Sequence, residues 1–256
     1  EIRVQSTAMV GRIFYGTNLL ELIERFTEYS GRMTPPPDWV HEGGVLALAR
    51  PLSESLAIVE ELESRGARLA AVWNQTWSGT AVTLFGEQVQ WNWVLNESQH
   101  PDWATYVESL AARGIRVLCY VNPMLRDVPP EDGPAARNLF QEAMAQGFLV
   151  SKASGEAYLM PITAFEVGLL DLTNPDARAW MKGILQQEVM GHAGCSGWMV
   201  DFAEGLPFDA VLHSGVSAYD YHNLYPVDWI RLNRQAAEEV GKLGETLLFN
   251  RSGFTG

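Results

Sequence analysis

The stretch that decides the fold is Trp103-Ala104-Thr105-Tyr106-Val107-Glu108-Ser109-Leu110-Ala111-Ala112-Arg113-Gly114-Ile115-Arg116-Val117-Leu118-Cys119-Tyr120-Val121-Asn122-Pro123. Tyr106, Val107 and Leu110 fall on one side of a helix of about three turns. Gly114 stops that helix. A near-continuous apolar run follows, Ile115 to Val121, and it ends on polar Asn122. An apolar strand behind a helix and a glycine reads as a buried parallel strand.

Working outward, the same unit recurs. Ser53 to Arg65, Gly66 and the strand Leu69 to Trp73 precede it. Asn174 to Met190, Gly191/Gly194 and the strand Gly197 to Val200 follow, then Val227 to Val240, Gly241/Gly244 and the strand Thr246 to Phe249. A further strand, Gly44 to Leu48, opens the series. Strands alternating with helices leave a (β/α) barrel or an open doubly wound sheet. Two features favour the barrel. No Gly-rich phosphate loop follows any strand. Polar and aromatic groups crowd the strand ends instead: Arg50, Asn74-Gln75-Thr76-Trp77, Asn122-Pro123, Asp201-Phe202-Ala203-Glu204 and Asn250-Arg251-Ser252. Barrel enzymes build their sites there.

A closed (β/α)8 barrel needs eight strands, and five are visible. The expectation is therefore the N-terminal part of a (β/α)8 barrel over 38–256, preceded at 1–37 by the end of a β-rich domain and a linker. Within that first segment Ile2 to Tyr15 reads as extended chain, Thr17 as the cap of a helix to about Ser30, and Met33 to Trp39 as linker. Long loops interrupt the barrel. One spans 74–102, with a hairpin around Thr83 to Trp91. Another spans 122–173, with a small helix near Ala135 to Ala145 and a hairpin near Ser154-Gly155. Loops of this length in a compact domain are usually functional.

Composition narrows the function classes. The 256 residues are 47% hydrophobic and 19% charged, with a net charge of −13. That balance suits a globular protein and argues against nucleic acid, whose binding needs Lys and Arg against phosphate. No apolar run reaches the roughly 20 residues of a membrane span. The five histidines have no metal spacing, and no cofactor motif or Gly-x-Ser-x-Gly elbow is present. No leader with a basic start and an apolar core is visible either, and compartment and oligomeric state are left open. Cys119 and Cys195 lie in apolar runs and read as buried free thiols.

The sharpest chemical signal is Gly197-Trp198-Met199-Val200-Asp201-Phe202-Ala203-Glu204-Gly205-Leu206-Pro207. A carboxylate at the mouth of a barrel, on a rigid strand, can attack an anomeric carbon. An Asp at a strand end can equally cap the next turn. Trp73, Trp77, Trp91, Trp93 and Trp103 offer faces for sugar rings or pack the core beneath a long loop. Gln75, Asn92, Asn122 and Arg251 are strand-end polar groups suited to sugar hydroxyls. His213, after the Asp201 loop, lines a pocket or makes a structural hydrogen bond.

The Asp201 segment resembles the nucleophile segment of glycoside hydrolase family 31, nearest to its sulfoquinovosidase branch. Trp73-Asn74-Gln75-Thr76-Trp77-Ser78-Gly79, Trp91-Asn92-Trp93, Tyr120-Val121-Asn122-Pro123, Leu169-Leu170-Asp171-Leu172-Thr173-Asn174-Pro175, Leu212-His213-Ser214-Gly215 and Arg251-Ser252-Gly253 agree in order and spacing. The resemblance runs over nearly the whole chain. It implies a retaining α-glycosidase that needs no cofactor and acts on a carbohydrate, cytoplasmic as in the bacterial branch. Asp201 would be its nucleophile and Glu204 a supporting carboxylate. Gln75, Gln88, Trp91, Asn122, His213 and Arg251 would bind substrate. The acid/base would be an Asp beyond the Arg-Ser-Gly segment, so residues 1–256 alone would be inactive. Two positions depart from the branch. Ala49 stands where a glutamine is expected, and Gln88 where an arginine is expected. Glutamine cannot supply the charge that pairs with a sulfonate. The departures point to a neutral α-hexoside unless a neighbour such as Arg50 compensates. A non-catalytic carbohydrate-binding barrel would keep the aromatics without needing Asp201. A barrel aldolase or isomerase would need a strand-end Lys or metal carboxylates, which are not seen.

Overall fold

The computed structural model describes residues 10–129 and 137–251. They fall into two units, 10–35 and 36–251. In the first, α1 (Leu19–Ser30) is capped by Asn18, whose side chain accepts from Glu21 N–H. Thr17, one residue earlier, instead donates from its backbone and hydroxyl to Glu21 Oε2, at 2.7 and 2.8 Å. The expected extended segment is described only from residue 10, where no strand forms; Ile2 to Met9 lie outside the described residues.

In the second unit a 3₁₀ turn (Asp38–Glu42) leads into β1 (Gly44–Leu48), α2 (Leu52–Ser64) and β2 (Leu69–Asn74). The hairpin β3 (Thr80–Thr83) and β4 (Gly86–Val89) follows, then α3 (Trp103–Ala111), β5 (Arg116–Val121) and β6 (Met124–Arg126). Next come α4 (Leu139–Gln146), β7 (Leu159–Ile162), β8 (Phe165–Leu169) and α5 (Pro175–Ile184), the last passing into a π-helical stretch, Leu185–His192. The chain continues through β9 (Gly197–Val200), α6 (Ala218–Tyr221), α7 (Tyr225–Glu239) and β10 (Leu247–Phe249).

The five expected strands form one parallel sheet in the order β1-β2-β5-β9-β10. The sheet is curled. In a flat sheet β2 and β10, with β5 and β9 between them, would stand roughly 14 Å apart. Yet the rings of Trp73 on β2 and Phe249 on β10 meet edge-on at 5.5 Å. Ala71, Trp73, Leu118, Leu247 and Phe249 gather beneath Trp39 in a core of their own, which is the inside of a barrel wall. The larger core lies on the outer face, where the helices pack. The fold is therefore the (β/α) barrel rather than the open sheet, and the strand ends come within one or two residues of the sequence reading.

The stretch 122–173 is not the long loop expected. β6, β8 and β7 build a three-stranded antiparallel sheet. The expected hairpin is present as the bridge Ser151–Ala157. The expected helix begins at Leu139; Ala135 lies outside the described residues. The cysteines also need correction. Both are buried, but they are joined in a disulfide, Cα–Cα 6.0 Å. β5 and β9 are adjacent, so Cys195, two residues before β9, comes beside Cys119 of β5 although 76 residues separate them.

Candidate active site

Asp201 is the first residue past β9. Its N–H donates to Val121 O at 2.9 Å, extending the β5–β9 pairing by one rung. The carboxylate is buried, 8% exposed, and is held from two sides. Tyr120 donates its hydroxyl to Oδ2 at 2.6 Å. Arg251 brings Nε to 2.7 Å from Oδ1 as an ion pair, and its Nη1 lies 2.9 Å from Glu204 Oε1. A carboxylate buried without such partners would be costly. Partial burial pulls the Arg251 pKa down, but the two carboxylates outweigh it and hold the guanidinium above its ordinary value. Burial pushes the Tyr120 hydroxyl up. The hydrogen bond from Asn122 opposes this and the neighbouring Asp201 adds to it, so Tyr120 stays a donor.

The chain then does something side chains disfavour. Phe202 and Ala203 have φ of 52° and 81°. Consecutive non-glycine residues in this region cost of order 1–3 kcal/mol each and persist only where surroundings force them. Here the surroundings do. Ala203 is fully buried, and the Phe202 ring is wedged between Trp91, at 5.3 Å, and the Arg251 guanidinium, at 4.8 Å. The bend turns Glu204 toward Arg251. Gly205 follows, and a Cβ there would sit 2.9 Å from the end of the Met124 side chain, which would have to shift.

The other expected residues divide. Trp91, 7% exposed, packs between Phe202 and Phe165, the latter at 5.6 Å, so it joins the wall around Asp201. Gln88 on β4 is half-buried and accepts from the Thr163 hydroxyl at 2.8 Å. Gln75 is half-buried just past β2. Asn122 is fully buried. Its Nδ2 donates to Tyr120 Oη at 3.3 Å and its Oδ1 accepts from Met124 N–H at 2.8 Å. It therefore faces the support of Asp201, not an open pocket. His213 is exposed, and its backbone N–H donates to the buried Asp171 at 2.6 Å. Arg50 is 62% exposed and lies 3.8 Å from Glu54. Sequence reasoning does not single out Tyr120, Phe202 or Phe165. The strand-end position of Tyr120 was the available signal. Among the described residues no group of three or more His, Cys, Asp or Glu can hold a metal, and no helix is long and apolar enough to cross a membrane.

A carboxylate at a strand end, a fixed cation, a strained turn and an aromatic wall form one cluster at the carboxyl face. Residues 37–256 match the model of the "Glycosyl hydrolases family 31 TIM-barrel domain". The chain belongs to this family. Curated family 31 relatives include the sulfoquinovosidase of Escherichia coli (strain K12), 37% identical over 237 residues, which are 93% of this chain and 34% of that protein. The sulfoquinovosidase of Agrobacterium fabrum is 34% identical over 256 residues, 100% of this chain and 37% of that protein. The chain thus spans about a third of the length of these relatives. A solved family 31 sulfoquinovosidase from E. rectale superposes with a TM-score of 0.81 at 38% identity, covering 91% of this chain and 34% of that one. A family 31 dextranase from Flavobacterium johnsoniae, 17% identical with a TM-score of 0.73, shares the fold.

Proposed function

We propose that Asp201 is the nucleophile of a retaining α-glycoside hydrolase acting on terminal α-linked hexosides, either sulfoquinovosides or glucosides. One observation carries the reading. A buried carboxylate sits at the carboxyl end of a barrel strand, fixed by Tyr120 and Arg251 and followed by two strained residues. Two family 31 relatives above 30% identity are named sulfoquinovosidases, which supports a hexoside with an anionic variant in range.

In this reading an Asp201 oxygen attacks the anomeric carbon as the glycosidic C–O bond breaks, giving a covalent glycosyl-enzyme. Tyr120 and Arg251 hold the carboxylate in one orientation, which keeps attack geometry fixed. Glu204 acts through Arg251 and shares its charge. A second carboxylic acid protonates the leaving oxygen and then activates water. The family resemblance assigns that group to a later strand end, past Arg251. Trp91 walls the sugar, and Gln75 and Gln88 hydrogen-bond its hydroxyls. Asn122 positions Tyr120.

The test compares kcat/KM of the full-length protein on an aryl α-sulfoquinovoside and an aryl α-glucoside, with the product anomer followed by NMR. Retention of configuration, and loss of both activities in Asp201→Ala, is the expected result. Inversion, or turnover that survives the substitution, overturns the reading. Sugar binding without turnover in the intact protein points instead to a non-catalytic carbohydrate-binding barrel.

A further inference from the structure

The loop that leaves β9 is fastened at both ends. Its near end is Asp201, whose N–H donates to Val121 O at 2.9 Å. Its middle holds the left-handed pair Phe202 and Ala203, then Glu204, whose carboxylate meets Arg251. Further on, Val211 exchanges two backbone hydrogen bonds with Ser151, at 2.8 and 3.1 Å. Then His213 N–H donates to Asp171 Oδ2 at 2.6 Å, and Ser214 N–H donates to the Thr173 hydroxyl at 3.2 Å.

Asp171 lies two residues past β8 and is 3% exposed. Its Oδ1 accepts from the Thr173 N–H at 2.9 Å and from the Thr173 hydroxyl at 2.6 Å. Thr173 therefore links the carboxylate onward to Ser214. The base of this clasp is rigid. Asp171 N–H donates to Phe148 O at 2.8 Å, and Asn174 caps α5 directly afterwards. A turn at 171–173 needs one side-chain acceptor, and asparagine would serve. The second oxygen is what demands aspartate. An asparagine that kept the turn would aim its NH2 at the His213 N–H, donor against donor. The carboxylate thus serves a contact across 42 residues of chain. A buried charge is costly without donors, and hydrogen bonds to it are correspondingly strong.

We propose that Asp171, together with Thr173, is a positioning residue for the site. By pinning His213 and Ser214 it fixes the far end of the Asp201 loop, which keeps Phe202 and Ala203 strained and Glu204 against Arg251. Residues in this conformation persist only where their surroundings over-determine them, and a loop anchored at one end alone would let them relax. The proposal rests on the reading of Asp201 as nucleophile and adds a device that acts on it from outside the pocket.

The experiment combines hydrogen exchange read by mass spectrometry with turnover of aryl α-glycosides, on the full-length protein and its variants. In Asp171→Asn, peptides covering 202–206 should exchange at least about tenfold faster, while those of β5 stay unchanged. The kcat per folded molecule should fall about 10- to 100-fold, the scale of a slightly misplaced site, with KM within about threefold. Thr173→Val should show a smaller loss of the same kind, and Thr173→Ser, which keeps the hydroxyl, should recover most of it. The Asp171→Asn loss should largely vanish in a Glu204→Gln background, because both act through Arg251. Exchange that quickens only at 211–215 overturns the proposal. So does an unchanged kcat per folded molecule, or an equal loss in the Glu204→Gln background; Asp171 is then a structural anchor. Should Asp171→Asn not fold, the two Thr173 variants decide by the same readings. If the intact protein turns over no glycoside, the hydrolase reading falls and exchange at 202–206 alone decides the clasp. Faster exchange there in Asp171→Asn keeps it, and unchanged exchange sinks it.

Discussion

The same five strands end in two very different places. At their amino ends a cavity of about 590 Å³ opens, lined by residues that include Trp39, Arg116, Ser196, Lys242 and Glu245. Trp39 closes it from one side, with its indole N–H on Glu245 O at 3.0 Å and the Arg116 guanidinium 5.0 Å from its ring. At their carboxyl ends lie a buried carboxylate, a charge partner for it and two residues forced to positive φ. The first end has volume and the second has stored strain and placed charge. Volume alone therefore does not mark the chemistry here. In barrels of this kind one face carries stability and the other carries function, and substitutions should separate along that line.

The largest effect expected is at Asp201. Asp201→Ala should lower kcat/KM of the full-length protein by at least about 10⁴-fold, as loss of a nucleophile does in other enzymes, while the far-ultraviolet circular dichroism is unchanged. A drop below tenfold would dissolve the distinction between the two ends. Trp39→Ala is the mirror image. It should cost about 3–5 kcal/mol in urea unfolding through a cavity in the inner core, with kcat/KM per folded molecule altered less than about twofold. A catalytic defect larger than the stability defect would show that the amino face takes part in the chemistry.

Arg251→Met sharpens the carboxyl-end account. It leaves Asp201 buried beside Tyr120 without its cation, and kcat should fall about 10²-fold, with KM moving less. A change confined to KM would make Arg251 a sugar-binding group, the role its sequence position suggests. The smallest effect concerns a core tyrosine away from either end. Burial pushes Tyr106 up to about 12, loosely opposed by the nearby Ser55 and Asn74 side chains. A neutral acid with a raised pKa favours the folded state fully below its ordinary value of 10, and that contribution is lost as pH rises from there through about 12. Urea stability should hold steady to pH 10 and fall beyond it. Tyr106→Phe should remove about 3 kcal/mol of that fall; an unchanged alkaline slope would mean that Tyr106 does not titrate there.

The sequence made the barrel legible because each repeat is long, periodic and closed by a glycine. Leu52–Ser64 and Arg116–Val121 differ from their expected bounds by a residue or so. The sheet of β6, β7 and β8 escaped for local reasons. β6 has three residues, β7 carries Pro161 in its middle, and β8 carries Gly168, and each of these weakens a strand pattern. That a Cβ on Gly168 would press into the buried Leu149 side chain is a tertiary fact with no local trace. The site divides in the same way. Asp201 announces itself by ending an apolar run. Tyr120, its hydroxyl partner 81 residues earlier, is visible only once β5 and β9 are paired. The disulfide between Cys119 and Cys195 is hidden for a like reason, because only the neighbouring of β5 and β9 brings its cysteines together. The sequence presents Arg251 as a strand-end group suited to sugar hydroxyls, and only the fold shows that two carboxylates are its neighbours.

The most direct test of the account is to react the full-length protein with a 5-fluoro-α-glycosyl fluoride and locate the trapped sugar by peptide mass spectrometry. The account predicts one sugar per protein, on the peptide containing Asp201 and on that side chain. A label on any other residue, or rapid turnover to an inverted product with no trapped species, would contradict it.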